Sequence, residues 1–388
     1  MQEKSRLYTL QFWLLALSHV LFGASFSMII PELPNYLTSL GGAEYKGLII
    51  SLFTLTAAIS RPFSGKLSDT VGRMPVMIFG TLVCVVCSLL YPVLTSVAGF
   101  LLLRFLHGFS TGFKPTASTA YVADIVPAGR RGEAMGVMGI AMNTGASLAP
   151  PIGSWAAMTW SLDVMFYISS AFALISILIL MRLKETLPQK QPFKLSLLKI
   201  NRHEILDPSA IAPAIVVLAV YFNYGVLLTI VPDQCDYLGI ENKGLFLTSL
   251  TAFSLLSRFV AGKTSDLFGR VPIIKISITM MALSLIWLGC ADSAFDLLAA
   301  SGLLGFSIGI AAPSVFAWGI DRAPEARRGR AMATIYIALE VSIGLGALFS
   351  GWMYANDTSR FAVTLFWTAG ITSLGFFFLL MNPKRWMI

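Results

Sequence analysis

The sequence predicts an all-α membrane protein of 12 transmembrane helices in two parallel-related six-helix halves, with both termini cytoplasmic. Three observations carry this. Of 388 residues, 56% are hydrophobic and only 12% charged, with a mean hydropathy of +0.75; soluble domains carry about 25% charged residues. Twelve apolar runs reach the roughly 20 residues that a span requires. The second half also repeats the first in one register, 197 positions on. Such a composition excludes a disordered chain, a secreted disulfide scaffold and an ordinary soluble enzyme.

The apolar runs fall at 8–30, 47–66, 75–95, 98–122, 134–157 and 163–183. They resume at 209–231, 244–264, 273–291, 296–319, 331–354 and 361–382, and are called spans 1 to 12 here. Met1 to Arg6 is polar and basic and leads into an apolar run without a small-residue cleavage site, so span 1 reads as uncleaved. The N-terminal half is 1–183, the cytoplasmic linker 184–208 and the C-terminal half 209–388. The linker is the only long polar stretch, with Lys184, Lys190, Lys194, Lys199 and Arg202.

The net charge is +8 and the pI about 9.3. In a soluble chain this would suggest nucleic acid, but no basic run is interleaved with exposed aromatics, so the partner is the lipid bilayer. With the N-terminus inside, 20 of the 28 Lys and Arg fall on inside segments and three (Lys46, Lys243, Arg360) on outside loops. That asymmetry sets the orientation and implies a multi-pass protein of the plasma (inner) membrane.

The repeat is specific. Ser60-Arg61 and Gly65-Lys66-Leu67-Ser68-Asp69-Thr70-Val71-Gly72-Arg73-Met74-Pro75 recur as Ser257-Arg258 and Gly262-Lys263-Thr264-Ser265-Asp266-Leu267-Phe268-Gly269-Arg270-Val271-Pro272. The same offset maps Lys46 onto Lys243, Gly108-Phe109-Ser110 onto Gly305-Phe306-Ser307, Asp124 onto Asp321, and Arg130-Arg131-Gly132 onto Arg327-Arg328-Gly329. Six spans per half make the repeats parallel, with a binding site expected at their interface near the midplane. The shared Gly-x-x-x-Asp-x-x-Gly-Arg is expected to form a tight loop between spans 2 and 3 and between spans 8 and 9.

These residues resemble the signature loop of the major facilitator superfamily, and the resemblance covers the whole chain. It implies a cytoplasmic gate: Gly65, Asp69, Gly72 and Arg73, with Asp69 facing the start of span 11 and Arg73 pairing with Asp124. The symmetric set is Gly262, Asp266, Gly269, Arg270 and Asp321. The plainer alternative is a role in stability or insertion topology alone. Span 5 reads Gly136, Gly145, Ala149-Pro150 and Gly153-Ser154, which resembles the antiporter motif of the superfamily's proton-coupled drug and metabolite exporters. That motif has glycines where Ala149 and Ser154 stand. Its physics is close helix packing at small residues with a proline kink.

A charge at the bilayer centre costs about 2.5–3.5 kcal/mol on insertion scales, so intramembrane ionisable residues are read as functional. On span 4, Arg104, His107, Thr111, Lys114 and Ser118 share a sector of about 80° along about 21 Å of axis. That stripe cannot face lipid and is expected to face a central cavity. Arg104 matches the family's span 4 arginine, which is linked to proton coupling. Lys114 has Ala311 at its repeat position, and reads as a cation for an anionic substrate group or as half of an ion pair with Glu340 or another acid.

Glu340, mid-span in span 11, is a candidate proton carrier; Asn143 is its span 5 counterpart. Glu32 and Asp233 end spans 1 and 7 beside prolines. They read as an acidic pair at the outer mouth serving proton exchange, or as solvated helix-end acids. The resemblance implies that spans 1, 4, 7 and 10 line the cavity, which adds His19, Asn223 and Tyr224 as candidate contacts; a lone His is more often a packed residue. Cys84 and Cys87, one turn apart, read as packing residues rather than a redox or metal pair, because no His or second Cys pair accompanies them.

The Gly108–Gly112 and Gly305–Gly309 segments match a serine-hydrolase elbow, but neither follows a strand. No Walker loop, His-Glu-x-x-His or zinc spacing occurs, so neither a cofactor nor a metal is expected. The leading expectation is a secondary active exporter that exchanges protons for a small organic molecule, anionic or zwitterionic by its cationic stripe. A proton-coupled importer, a membrane-embedded enzyme and a non-transporting sensor stay open. The resemblance implies a monomer.

Overall fold

The computed structural model describes residues 8–127, 130–199, 206–324 and 328–381. Of the charges counted for orientation, Lys4, Arg6, Arg202, Arg327, Lys384 and Arg385 lie outside the described residues, as do the side chains of Lys263 and Arg328; the gate candidate Asp266 has its side chain outside them as well.

Among the described residues there are α-helices and short 3-10 turns and no strands. The helices are α1 (Leu10–Met28), α2 (Leu33–Ser39), α3 (Lys46–Thr70), α4 (Arg73–Leu90), α5 (Val97–Ile125), α6 (Arg131–Thr159) and α7 (Leu162–Leu180). They continue with α8 (Ile211–Tyr237), α9 (Gly244–Phe268), α10 (Arg270–Gly289), α11 (Ala294–Arg322), α12 (Arg328–Tyr354) and α13 (Phe361–Met381). Among the described residues, nine helical segments are long and apolar enough to cross a membrane. The α5 helix is not one of them, because Arg104, His107 and Lys114 interrupt an otherwise apolar stretch.

Local chemistry starts the helices where the apolar runs begin. Ser96, Ser161 and Ser293 cap α5, α7 and α11 by accepting the N–H groups of Gly99, Val164 and Asp296 at 3.1–3.2 Å. Ser96 and Ser293 are themselves repeat mates. The Gly-x-x-x-Asp-x-x-Gly-Arg segment differs from the expected loop. Gly65 and Asp69 lie on α3, Gly262 and Asp266 on α9, and the turns shrink to Val71-Gly72 and Gly269. Gly72 and Gly269 have φ of 140° and 87°, which side-chain-bearing residues rarely adopt.

The chain packs as two compact units, 1–30 with 56–200 and 31–55 with 201–388. In the first, α1 packs on α6 and α7, and α4 on α5 and α7. In the second, α8 packs on α12 and α13, α10 on α11 and α13, and α9 on α11. The pairs α1/α6 and α8/α12 are related by the repeat, as are α4/α5 and α10/α11, so the internal similarity of the sequence is a similarity of packing.

Candidate functional site

At the Gly72 end of the first unit, Arg73 gathers three acceptors. Its guanidinium donates to Asp69 (2.6 Å), Asp124 (3.1 Å) and the Ser68 carbonyl (2.5 Å). Thr186 donates its hydroxyl to the same Asp124 oxygen at 2.6 Å. Glu185 takes the place of a local cap on α4: its carboxylate accepts the N–H groups of Arg73 and Met74 at 3.1 and 3.0 Å, and those of Thr186 and Leu187. Burial pushes this carboxyl up, but the four N–H donors outweigh it and the net direction is down. No local pattern marks Glu185, the first of three acids in the basic linker. In the second unit Arg270 pairs with Asp321 at 3.2 Å and donates to Ser265 at 3.1 Å.

The α5 stripe is turned inward on its own unit. Arg104, His107, Thr111, Lys114 and Ser118 are all buried; Arg104, His107 and Lys114 find partners on α1, α4 and α7 or on the turn that follows α4, Ser118 on α4, and Thr111 on the Gly108 carbonyl of α5 itself. Lys114 Nζ donates to the Ser18 carbonyl (2.8 Å), Ser18 Oγ (2.9 Å) and Ser176 Oγ (2.8 Å), and lies 4.4 Å from the centre of the Phe22 ring. No carboxylate of the described residues is within ion-pair distance of it. About two to three turns away, Arg104 donates to Tyr91 Oη (3.3 Å), and His107 bridges Tyr91 Oη (3.2 Å) and Cys84 Sγ (3.1 Å). Cys84 is therefore a hydrogen-bonded neighbour of the stripe. His19 bonds the Leu15 carbonyl at 3.0 Å through Nδ1.

In the second unit Glu32 and Asp233 are buried, not solvated. Each meets a lysine: Lys46 pairs with Asp233, and Lys243 with Asp236 (2.9 Å) and Glu32 (3.9 Å). The pairing is crossed, because each lysine reaches an acid from the other sequence repeat. Lys46 and Lys243 were legible only as loop charges, although the 197-residue offset equates them. Asn223 is fully buried against Thr372 of α13 (3.5 Å) and bonds the Val220 carbonyl. Tyr224 is half-buried on the next position, Asn143 bonds the Gly139 carbonyl on α6, and Glu340 is buried on α12.

The α6 glycines act through contact. A methyl on Gly145 would strike the Val20 carbonyl and Ala24 amide of α1, and one on Gly153 the Met28 carbonyl, whereas Gly136 has open space. Pro150 lies between the two close approaches. In the second unit Gly346 meets the Phe222 carbonyl in the same manner. The elbow-like glycines are helix-packing faces: Gly112 lies on Ala57 and Ser60 of α3, and Gly305 on Leu250 of α9. An apolar cavity of about 590 Å³ sits in the first unit, walled by Phe63, Phe79, Phe109, Phe113 and the linker residues Phe193 and Leu198. No three His, Cys, Asp or Glu side chains gather as a metal site would require, among the described residues.

The sequence model of one family, the Major Facilitator Superfamily, matches residues 15–232 and 213–386. The chain belongs to the Major Facilitator Superfamily. It is therefore a transporter and not an enzyme, and a multi-pass integral membrane protein. It is 24% identical over 333 residues to an uncharacterised MFS-type transporter of Methanocaldococcus jannaschii, covering 84% of this chain and 86% of that one. It is 27% identical over 340 residues to the multi-drug resistance efflux pump PmrA of Streptococcus pneumoniae, covering 81% of each. The fold matches that of a D-xylose-proton symporter with a TM-score of 0.78 at 19% identity over 96% of both chains.

Proposed function

We propose that this superfamily member is a secondary active exporter that exchanges external protons for a small organic molecule by alternating access. The observation that carries the direction is the contact of Gly145 and Gly153 with the α1 backbone around Pro150, the packing that the antiporter motif encodes. The efflux name of the pneumococcal relative supports it. In this reading twelve spans form halves 1–183 and 209–388 joined by the linker 184–208, both termini are cytoplasmic, and a monomer works in the plasma membrane.

Two sets of ion pairs suit the two gates. Arg73 with Asp69 and Asp124, and Arg270 with Asp321, would latch the cytoplasmic side. Gly65, Gly72, Gly262 and Gly269 shape the helix ends that carry them, and Asp266 completes the second set by symmetry. The crossed pairs Lys46–Asp233 and Lys243–Glu32 would latch the outer side. Protonating Glu32 or Asp233 discharges its pair and frees the lysine, which couples external protons to opening. Glu340 is the carboxylate proposed to carry the proton within the span, and Arg104 is a second proposed proton-coupling residue. Thr111, His107, His19, Asn143, Asn223 and Tyr224 are the proposed polar contacts for substrate, reached as the helices part.

The test needs no guessed substrate. Metabolites are compared in medium and cytosol for cells carrying the wild type, Glu340→Gln or no copy. A compound that builds up outside with the wild type alone supports the reading. The runner-up is a proton-coupled importer, favoured by Ala149 and Ser154 where exporters carry glycine; it predicts a compound that vanishes from the medium instead.

A further inference from the structure

Lys114 poses a problem that neither gate solves. Its ammonium is fully buried midway along α5, and the carboxylates of its unit, among the described residues, stand at helix ends or beyond: Asp69, Asp124, Glu133, Asp163 and Glu185. An intramembrane charge without a counter-charge is costly. Here it is held by three oxygens, all of them neutral.

Those oxygens have a further property. Ser18 Oγ and Ser176 Oγ lie 2.8 Å apart, and Ser176 donates to the Ser18 carbonyl at 2.9 Å. A hydroxyl both donates and accepts. With an ammonium at Nζ, all three N–H groups donate, to the Ser18 carbonyl and to both hydroxyl oxygens. With an amine, two N–H groups still donate, and one serine O–H rotates to donate into the nitrogen lone pair. Both protonation states are thus fully hydrogen-bonded in the same cage. A carboxylate in place of either serine would hold the charged state alone.

The groups facing Lys114 reinforce this. The charge of Lys114 acts on His19 of α1 and Cys84 of α4. On α5 itself His107 and Arg104 follow at seven and ten residues' distance. The α7 helix brings Ser176, with Asp163 and Tyr167 more than two turns away; α6 has its titratable residues, Arg131 and Glu133, in its first turn; α3 carries Arg61, with Lys46 at its first position and Lys66 and Asp69 at its end. None of these carboxylates is paired with Lys114.

We propose that Lys114 is a proton-binding site of the transport cycle, alternating between ammonium and amine within the Ser18–Ser176 cage. On release the N–H bond breaks, its electron pair stays on Nζ, the proton passes to water on the open side of the membrane, and a serine hydroxyl turns to donate to Nζ. Uptake reverses each step. This rests on the proton-coupled reading above for its purpose, and it gives Lys114 to the proton instead of the substrate, because all three N–H groups are already engaged.

The test is a difference proton titration of the purified full-length protein in lipid nanodiscs, wild type against Lys114→Met and Ser176→Asp, between about pH 6 and pH 9.5. The expected result is one proton equivalent taken up by the wild type across that range and missing from Lys114→Met. Ser176→Asp, which supplies the counter-charge, should move that step above the range. Should Lys114→Met fail to fold, Ser176→Asp alone decides. Superimposable titrations of the wild type and the folded variants would overturn the proposal, since Lys114 would then hold its proton throughout. The metabolite comparison of medium and cytosol is read in parallel. A titration step with no compound accumulating outside in cells carrying the wild type keeps the proton site and counts against the exporter reading instead.

Discussion

Glu185 accepts the backbone N–H groups of Arg73 and Met74 at 3.1 and 3.0 Å, so a residue of the linker caps a helix more than a hundred positions earlier. The same linker reaches the α3 end again, where the Gln191 N–H donates to the Thr70 carbonyl at 2.8 Å. The start of α4, the Arg73 cluster and the linker's first residues, 185–191, are therefore tied together by hydrogen bonds.

Removing that cap has a predictable cost. Glu185→Ala should lower stability by about 0.5–2 kcal/mol, the range of N-cap losses, read as a fall in melting temperature of the purified protein. The folded carboxyl titrates below its ordinary value. Its contribution is thus present above the unfolded pKa of about 4.3 and is lost as pH falls through the lower folded value. The gap between wild type and Glu185→Gln should be constant at neutral pH and close on acidification below about pH 4. A gap that widens there would contradict the assignment.

The two symmetric arginines should not be equivalent. Arg73 is 12% exposed with three acceptors, whereas Arg270 is 27% exposed. Charge-assisted bonds contribute about 1.5–3 kcal/mol when shielded and about 0–1 kcal/mol at the surface. Arg73→Ala should therefore reduce transport by about tenfold or more while Arg270→Ala loses a few-fold, measured as export rate normalised to protein in the membrane.

The crossed lysines invite a charge swap. Lys46→Ala strands the buried Asp233 carboxylate, a loss of about 3–5 kcal/mol for a broken buried pair. Lys46→Asp combined with Asp233→Lys should recover most of the melting temperature that either single change loses. If the double variant is no better than the singles, the pair is not what holds these side chains.

Among the α6 glycines the contacts sort the outcomes. Gly145→Val forces α6 off the α1 backbone and should cost about 1–3 kcal/mol, the usual overpacking loss, together with transport. Gly136→Ala meets nothing and should leave both stability and export near wild type. Paired melting and export assays separate the two.

Much of the fold was legible because spans announce themselves locally. The run read at 98–122 became Val97–Ile125, and that at 361–382 became Phe361–Met381. The turn after span 2 misled because Gly65, Lys66 and Asp69 have loop-like composition, whereas α3 continues through them to Thr70 and Gly72 alone supplies the positive φ. The helical period correctly placed Arg104, His107 and Lys114 on one face, but a period says which residues share a face and not what that face meets. The Ser18–Ser176 cage, the Glu185 cap and the crossed lysines are all contacts between distant positions, and no local pattern encodes them.

The measurement that tests proton-coupled export most directly is the metabolite comparison of medium and cytosol for cells with the wild type, Glu340→Gln or no copy, repeated with the pH gradient collapsed. A compound that accumulates outside only with the wild type, and only while the gradient stands, is the predicted result. A compound exported equally by Glu340→Gln with no gradient, or depleted from the medium by the wild type, would contradict it.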